Sequence, residues 1–100
     1  MKKYMPVINY IITNANGKKN AIIGRKIGNV FGITDVNVRA YVNEARCDGM
    51  PICSCGSGYY YSSHPADLND TIANLKGRVM KVEMAIDGLN SIMTCRGSSK

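Results

Sequence analysis

The sequence predicts a mainly α-helical domain that carries one small β-hairpin and runs on into a long C-terminal helix. Three observations predict it. Two amphipathic segments are separated only by Gly32-Ile33-Thr34, and two strand-like runs then flank Gly56-Ser57-Gly58. From Leu68 onward, apolar residues recur at alternating four- and three-residue spacing as far as Met93. A chain of 100 residues suffices for one domain with a modest core, and a hydrophobic fraction of 45% argues against disorder.

A first helix is expected over residues 6–16. Pro6 suits its first position, Val7, Ile8, Ile11, Ile12 and Ala15 share one face, and Gly17 suits its stop. Lys18, Lys19 and Asn20 read as a loop, and residues 21–23 as a short strand added to the hairpin sheet. The second helix, Gly24–Phe31, places Ile27, Val30 and Phe31 on one side and Arg25 and Lys26 on the other. Gly32 permits a sharp turn.

Thr34 is a good N-cap for a third helix, Asp35–Cys47, because its hydroxyl can accept an orphan N–H while Asp35 favours the helix dipole. Val38, Tyr41, Val42 and Ala45 form its core side. At about 100° per residue the opposite side carries Val36, Ala40, Asn43 and Cys47, flanked by Asn37, Arg39 and Glu44. That side is small and polar, which suits insertion into a groove better than the Lys- and Glu-rich surface of a merely soluble helix. Gly49 ends the helix, and residues 50–55 and 59–62 form the hairpin strands. Along the second strand, period two places Tyr59 and Tyr61 toward the core and Tyr60 outward.

Ser63-His64-Pro65 begins the last helix. With Ile72 at heptad position a, residues Ile72, Val79, Ile86 and Met93 occupy a, and Leu68, Leu75, Val82 and Leu89 occupy d. β-Branched residues at a with Leu at d favour a parallel two-stranded coiled coil, bridged between Arg78 at g and Glu83 at the next e. Gly77 and Gly88, and the off-seam Met80 and Met84, weigh against it. The resulting division is a domain over residues 1–62, a dimerisation helix over 63–95 and a disordered tail over 96–100.

The net charge is +6, and it is unevenly spread. Residues 1–62 hold eight Lys or Arg against three acids, and residues 63–100 hold five against four. Positive charge thus gathers where a polyanion would bind. Pro6, Asn9 and Asn14 interrupt any N-terminal signal, and no run of 18 apolar residues offers a membrane span, so a cytoplasmic protein is expected.

Four cysteines and His64 invite a zinc reading, but Cys53-Ser-Cys55 is shorter than Cys-x-x-Cys and no second pair answers it. Reduced thiols are expected. Gly56-Ser57-Gly58 lacks the length and the Lys of a phosphate loop, and His64 beside a helix start suits capping better than catalysis. No enzymatic chemistry, metal, cofactor or small-molecule substrate is expected.

Helix, tight turn, helix and hairpin is the order of a winged helix-turn-helix, which offers one helix to the DNA major groove. With Arg25, Val38-Arg39, Val42, Arg46, Gly49, Ile52 and Gly58-Tyr59 placed, residues 5–62 resemble the N-terminal module of biotin-repressor-type regulators and of many small phage regulators. The shared elements are a Val-Arg pair in the recognition helix, an Arg near its end, then Gly, a short strand and Gly-Tyr opening the last strand. The resemblance implies this fold and DNA binding. Biotin-repressor-type regulators carry a ligase or effector domain after this module, whereas a helix follows here, so ligase or effector-sensing activity is not among the expectations that carry over.

The expected function is a homodimeric, sequence-specific double-stranded DNA-binding protein, a transcriptional regulator or replication-associated factor of a phage or mobile element. Base contacts are expected from Val36, Asn37, Arg39, Ala40 and Asn43, with Asn43 placed to bridge an adenine. Backbone contacts are expected from Lys18, Lys19, Arg25, Lys26, Arg46, Ser54, Ser57 and Tyr60. The partner beyond DNA is a second copy, as a parallel homodimer through the eight heptad residues. The competing expectation is an interaction protein, an adaptor or inhibitor that uses the same surface to bind protein.

Overall fold

The computed structural model describes residues 2–98. Its elements run in the order α1 (Met5–Asn14), a single 3-10 turn (Lys18–Asn20), α2 (Gly24–Phe31), α3 (Asp35–Cys47), β1 (Ile52–Cys55), β2 (Gly58–Tyr61) and α4 (Pro65–Ser98). The protein is mainly helical, with one two-stranded antiparallel sheet and a long C-terminal helix. Among the described residues no helix is long and apolar enough to cross a membrane.

The core forms where α1, α2 and α3 meet the hairpin. Val7, Ile8, Ile11 and Ala15 from the first, Ile27 from the second, and Val38, Val42 and Ala45 from the third are buried together with Ile52, Cys53 and Tyr60. α2 and α3 have the bounds expected from the sequence. The Thr34 hydroxyl accepts the Asn37 N–H at 3.2 Å, the cap that starts α3. α1 ends two residues earlier than expected. Ala15 and Gly17 leave the helix to bond with Tyr61 across the chain, through Tyr61 N–H to Ala15 O at 2.8 Å and Gly17 N–H to Tyr61 O at 2.9 Å. Val30 is exposed rather than facing the core. The outer end of α2 is closed instead by Phe31, which meets Tyr10 of α1 edge to face at 5.7 Å. At the base of the core, the Tyr4 hydroxyl donates to Asp48 at 2.8 Å, joining the start of α1 to the end of α3.

The tight turn between α2 and α3 depends on Gly28. It is buried, its carbonyl accepts the Ile33 N–H at 2.9 Å, and a Cβ there would stand 2.5 Å from the Ile33 carbonyl oxygen. Gly58 is constrained likewise, with φ at 126° and the Ile22 backbone pressed against it. That approach lets Ile22 exchange two hydrogen bonds of 2.9 Å with Tyr59. The strand expected over residues 21–23 is therefore one bridge pair.

β1 and β2 pair with Ile52 opposite Tyr61 and Cys55 opposite Gly58, leaving Gly56 and Ser57 as the turn. α4 starts at a local cap: His64 Nδ1 accepts the Ala66 N–H at 3.3 Å, and the Ser62 hydroxyl donates to Asp67 at 2.7 Å. Its first turns pack on β1, where the buried Thr71 hydroxyl accepts the Ser54 N–H at 3.2 Å. Leu68 and Leu75 are half-buried there and Ile72 is 47% exposed. Leu68 and Leu75 thus face the protein's own domain, while Ile72 stays largely exposed. Helix α4 spans about 51 Å at 1.5 Å per residue, in a molecule 59 Å long, so its outer half stands clear of the core. It continues through Ser98, into the tail expected over residues 96–100, because a helix already propagating extends at little cost. Ser99 and Lys100 lie outside the described residues.

Gly28→Ala should destabilise the protein by about 1–3 kcal/mol, the usual range for overpacking. A urea denaturation midpoint equal to that of the parent would show that the α2–α3 turn yields without strain.

Candidate functional site

The outer side of α3 opens onto a cleft of about 480 Å³. Asp35, Val36, Arg39, Ala40 and Asn43 of α3 form one wall. Ile23 and Gly24 at the start of α2, with Ser54, Cys55, Gly56, Gly58 and Tyr59 of the hairpin, form the floor and the second wall. Leu75 and Arg78 of α4 close the third side. A second cleft, about 420 Å³, lies between the hairpin tip and Ala73, Asn74, Gly77, Arg78 and Lys81 of α4.

The charge of the main cleft is one-sided. Arg39, Arg46 and Arg78 line it against the single carboxylate of Asp35. Among the described residues the one ion pair joins Lys2 to Asp48 at 3.7 Å, away from the cleft, so Arg39 and Arg78 have no carboxylate bound to them. A concave surface with unneutralised guanidinium groups is suited to an anion.

Of the residues assigned base contacts, Val36, Arg39, Ala40 and Asn43 are exposed and line the cleft, with Val36 67% exposed. Asn37 is exposed outside it. Lys18, Lys19, Arg25 and Lys26 are exposed, but none of them lines the cleft. Ser57 stands exposed at the hairpin turn.

Of the expected backbone contacts, Arg46 and Ser54 line the cleft while bonded to each other, and Tyr60 is corrected. Arg46 is half-buried: its Nε donates to the Ile52 carbonyl at 2.7 Å and its terminal nitrogen to the Ser54 hydroxyl at 3.2 Å. Burial draws the guanidinium below its ordinary pKa and nearby Arg78 acts in the same direction, while Tyr59 and Cys53 oppose them. Arg46 and Ser54 therefore hold α3 to β1. Tyr60 is buried and cannot reach a ligand, whereas Tyr59 and Tyr61 are half-buried, the reverse of the expected alternation. Its register partner Cys53 is buried beside it, with residues 67 and 71 of α4 nearby. The sheet is covered on both faces, and period two does not tell a singly from a doubly covered strand.

Arg78 and Lys81 are the cleft residues that the sequence reading missed. Heptad logic set Arg78 on a dimer flank. The signal that could have found it is Thr71, a polar residue on the same side of α4 as Leu68 and Leu75, which marks that stretch as packed on a strand edge.

Among the described residues no group of His, Cys, Asp and Glu could hold a metal ion. Cys47 is exposed, Cys53 buried and Cys55 half-buried, all as free thiols. Burial raises the Cys53 thiol above its ordinary pKa. No family model, no curated protein and no solved structure matches this chain.

Burial, reinforced by Cys53 and Asp67, pushes the Tyr60 phenol up to about 12. The unfolded chain releases this proton near pH 10 and the folded chain retains it, so stability is complete below about pH 10 and declines toward pH 12. Cys53 adds a loss of the same sign that begins at lower pH. Urea midpoints should fall between pH 9 and 11, and Tyr60→Phe should flatten the upper part of the decline. An equal decline in Tyr60→Phe would assign the effect to other groups.

Proposed function

We propose that the chain is a homodimeric, sequence-specific double-stranded DNA-binding protein built on a winged helix-turn-helix module. Here α2 and α3 are the helix pair, α3 is the recognition helix and β1–β2 the wing. The carrying observation is the cleft in which the exposed side of α3 meets Arg39 and Arg78 without bound carboxylates. On this reading Asn43 bridges an adenine, Arg39 reaches a guanine or a phosphate, and Val36 and Ala40 touch thymine methyls. Arg78 and Lys81 of α4, with the exposed Lys18, Lys19, Arg25 and Lys26, neutralise phosphates and set the register on the duplex. The wing contributes little charge, since its tip holds only Gly56 and Ser57.

A regulator of transcription or a replication-associated factor of phage or mobile-element type is the matching role, supported by the resemblance of residues 5–62. A second copy supplies the second recognition helix that operator affinity requires of so small a module.

The second reading is an adaptor or inhibitor that binds protein. The exposed apolar side chains of Val36 and of the outer half of α4 favour it.

Salt separates the two. Binding through several phosphates should weaken about 10³-fold or more between 50 and 200 mM salt, whereas an apolar protein interface changes little. Against a site selected from random duplexes, Asn43→Ala should cost about 1–3 kcal/mol and relax preference at one base position. Arg78→Ala should weaken all sequences alike and reduce the salt slope by about one. No selectable site, or an Asn43→Ala protein with unchanged affinity and preference, would remove α3 as the reading helix.

A further inference from the structure

One row of α4 side chains meets two different environments. Near β1, on which α4 packs, Leu68, Thr71 and Leu75 line a cleft of about 270 Å³ with Met50, Pro51 and Ile52. The same row continues through Val79, Val82, Ile86, Leu89 and Met93, which are 50–65% exposed. The hairpin therefore covers the first third of the seam and leaves the rest without a partner among the described residues.

That division decides how a second copy can approach. In a parallel, in-register pair, helix axes lie about 8–10 Å apart and each seam residue faces its own counterpart. The partner's first three turns would then occupy the space that β1 and its flanking residues fill. An antiparallel pair limits the overlap to residues 77–81, where the hairpin tip stands beside Gly77, Arg78 and Lys81, all off the a and d rows.

We propose that two copies pair through the outer half of α4 in antiparallel orientation, with Ile86 against the partner's Leu89 and Val82 against the partner's Met93. This rests on the dimer of the preceding reading and not on its DNA. Two further features fit the register. Antiparallel pairing sets g positions against g positions, so Ile92, apolar and 57% exposed yet off the a and d rows, meets the partner's Ala85. The partner's helix, which runs to Ser98, ends opposite Gly77, just past the Leu75 contact. Gly77 has nothing within 4 Å of where its Cβ would stand. The paired stretch, residues 79–93, is about 22 Å long and nearly neutral, with Lys81 against Glu83 and Asp87, so like charges do not oppose association.

The test uses the full chain with Cys47, Cys55 and Cys95 replaced by Ser and a spin label on Lys76→Cys or, separately, Asp87→Cys. Antiparallel pairing predicts Lys76 labels about 35 Å apart and Asp87 labels under about 20 Å, from the rise of 1.5 Å per residue. Parallel pairing brings both pairs under about 20 Å and would overturn the proposal while leaving the dimer in place. A monomer by light scattering at tens of micromolar would overturn the dimer as well, and DNA affinity measured on the same sample keeps that question separate. Ile86→Lys with Leu89→Lys should give a folded monomer, since neither residue touches the hairpin. An unaltered dimer in that variant would place the interface elsewhere.

Discussion

The outer edge of β1 is the constraint on which the other elements depend. In a two-stranded sheet each strand has one edge of backbone groups that its partner does not bond, and these are costly when buried and adhesive when exposed. Here β2 lies between β1 and the backbone of residues 15–22, so its own edge is filled by Ile22, Ala15 and Gly17. On β1 the Ile52 N–H donates to the Met50 carbonyl, and side chains fill two further outward groups. Arg46 of α3 donates to the Ile52 carbonyl, and Thr71 of α4 accepts the Ser54 N–H. Arg46 also donates to the Ser54 hydroxyl, so one residue of β1 is held from both helices. Losing either partner would leave a backbone group unsatisfied in a half-buried site, which costs more than the net worth of the bond itself.

This clamp builds the cleft. Arg46 draws the end of α3 toward the strand, and Thr71 holds α4 along it, so α4 leaves the domain past the hairpin tip beside α3. Arg78 follows Thr71 by two turns on a similar bearing and is carried to the rim of the space that α3 opens onto. Arg39, Arg46 and Arg78 thereby come from two helices to one surface. Their mutual repulsion is tolerated because Arg46 spends its donors on neutral acceptors while Arg39 and Arg78 stay in contact with water.

The parts of the fold legible in the sequence were those fixed by local chemistry. Thr34 and Gly32 set the start of α3 and the turn before it, and the 3-4-3 spacing of Val38, Tyr41, Val42 and Ala45 set its face. Leu68, Ile72 and Leu75 were equally visible as a row, but a row states only that something apolar covers it. Whether the cover is the chain's own strand or a second molecule depends on where β1 ends in space. The expected orientation of Tyr60 fails for the same reason, since both faces of the hairpin are covered and the cover from residues 67 and 71 depends on how α4 folds back onto the strands. Arg46 looked like a free basic residue because nothing local signals that a carbonyl six residues on will claim it. The candidate site was legible in its α3 wall and illegible where α4 completes it.

An unbroken helix gives the outer half of α4 a geometric consequence. It carries Arg78 at the cleft and the apolar row that follows, so any pairing of that row sets the separation of two clefts. In the antiparallel register proposed for Val82 and Ile86, the two Arg78 positions lie about 28 Å apart along the helix axes, at 1.5 Å per residue. One turn of duplex DNA repeats at about 34 Å. For the DNA-binding dimer proposed above, the two lengths are close enough that a modest offset between Arg78 and the exposed face of α3 makes up the difference. A parallel pair would instead place both Arg78 residues at one level, with both hairpins crowded at the same end. The edge contacts of Thr71 would thus govern not only how α4 docks but which spacing of half-sites a dimer can span.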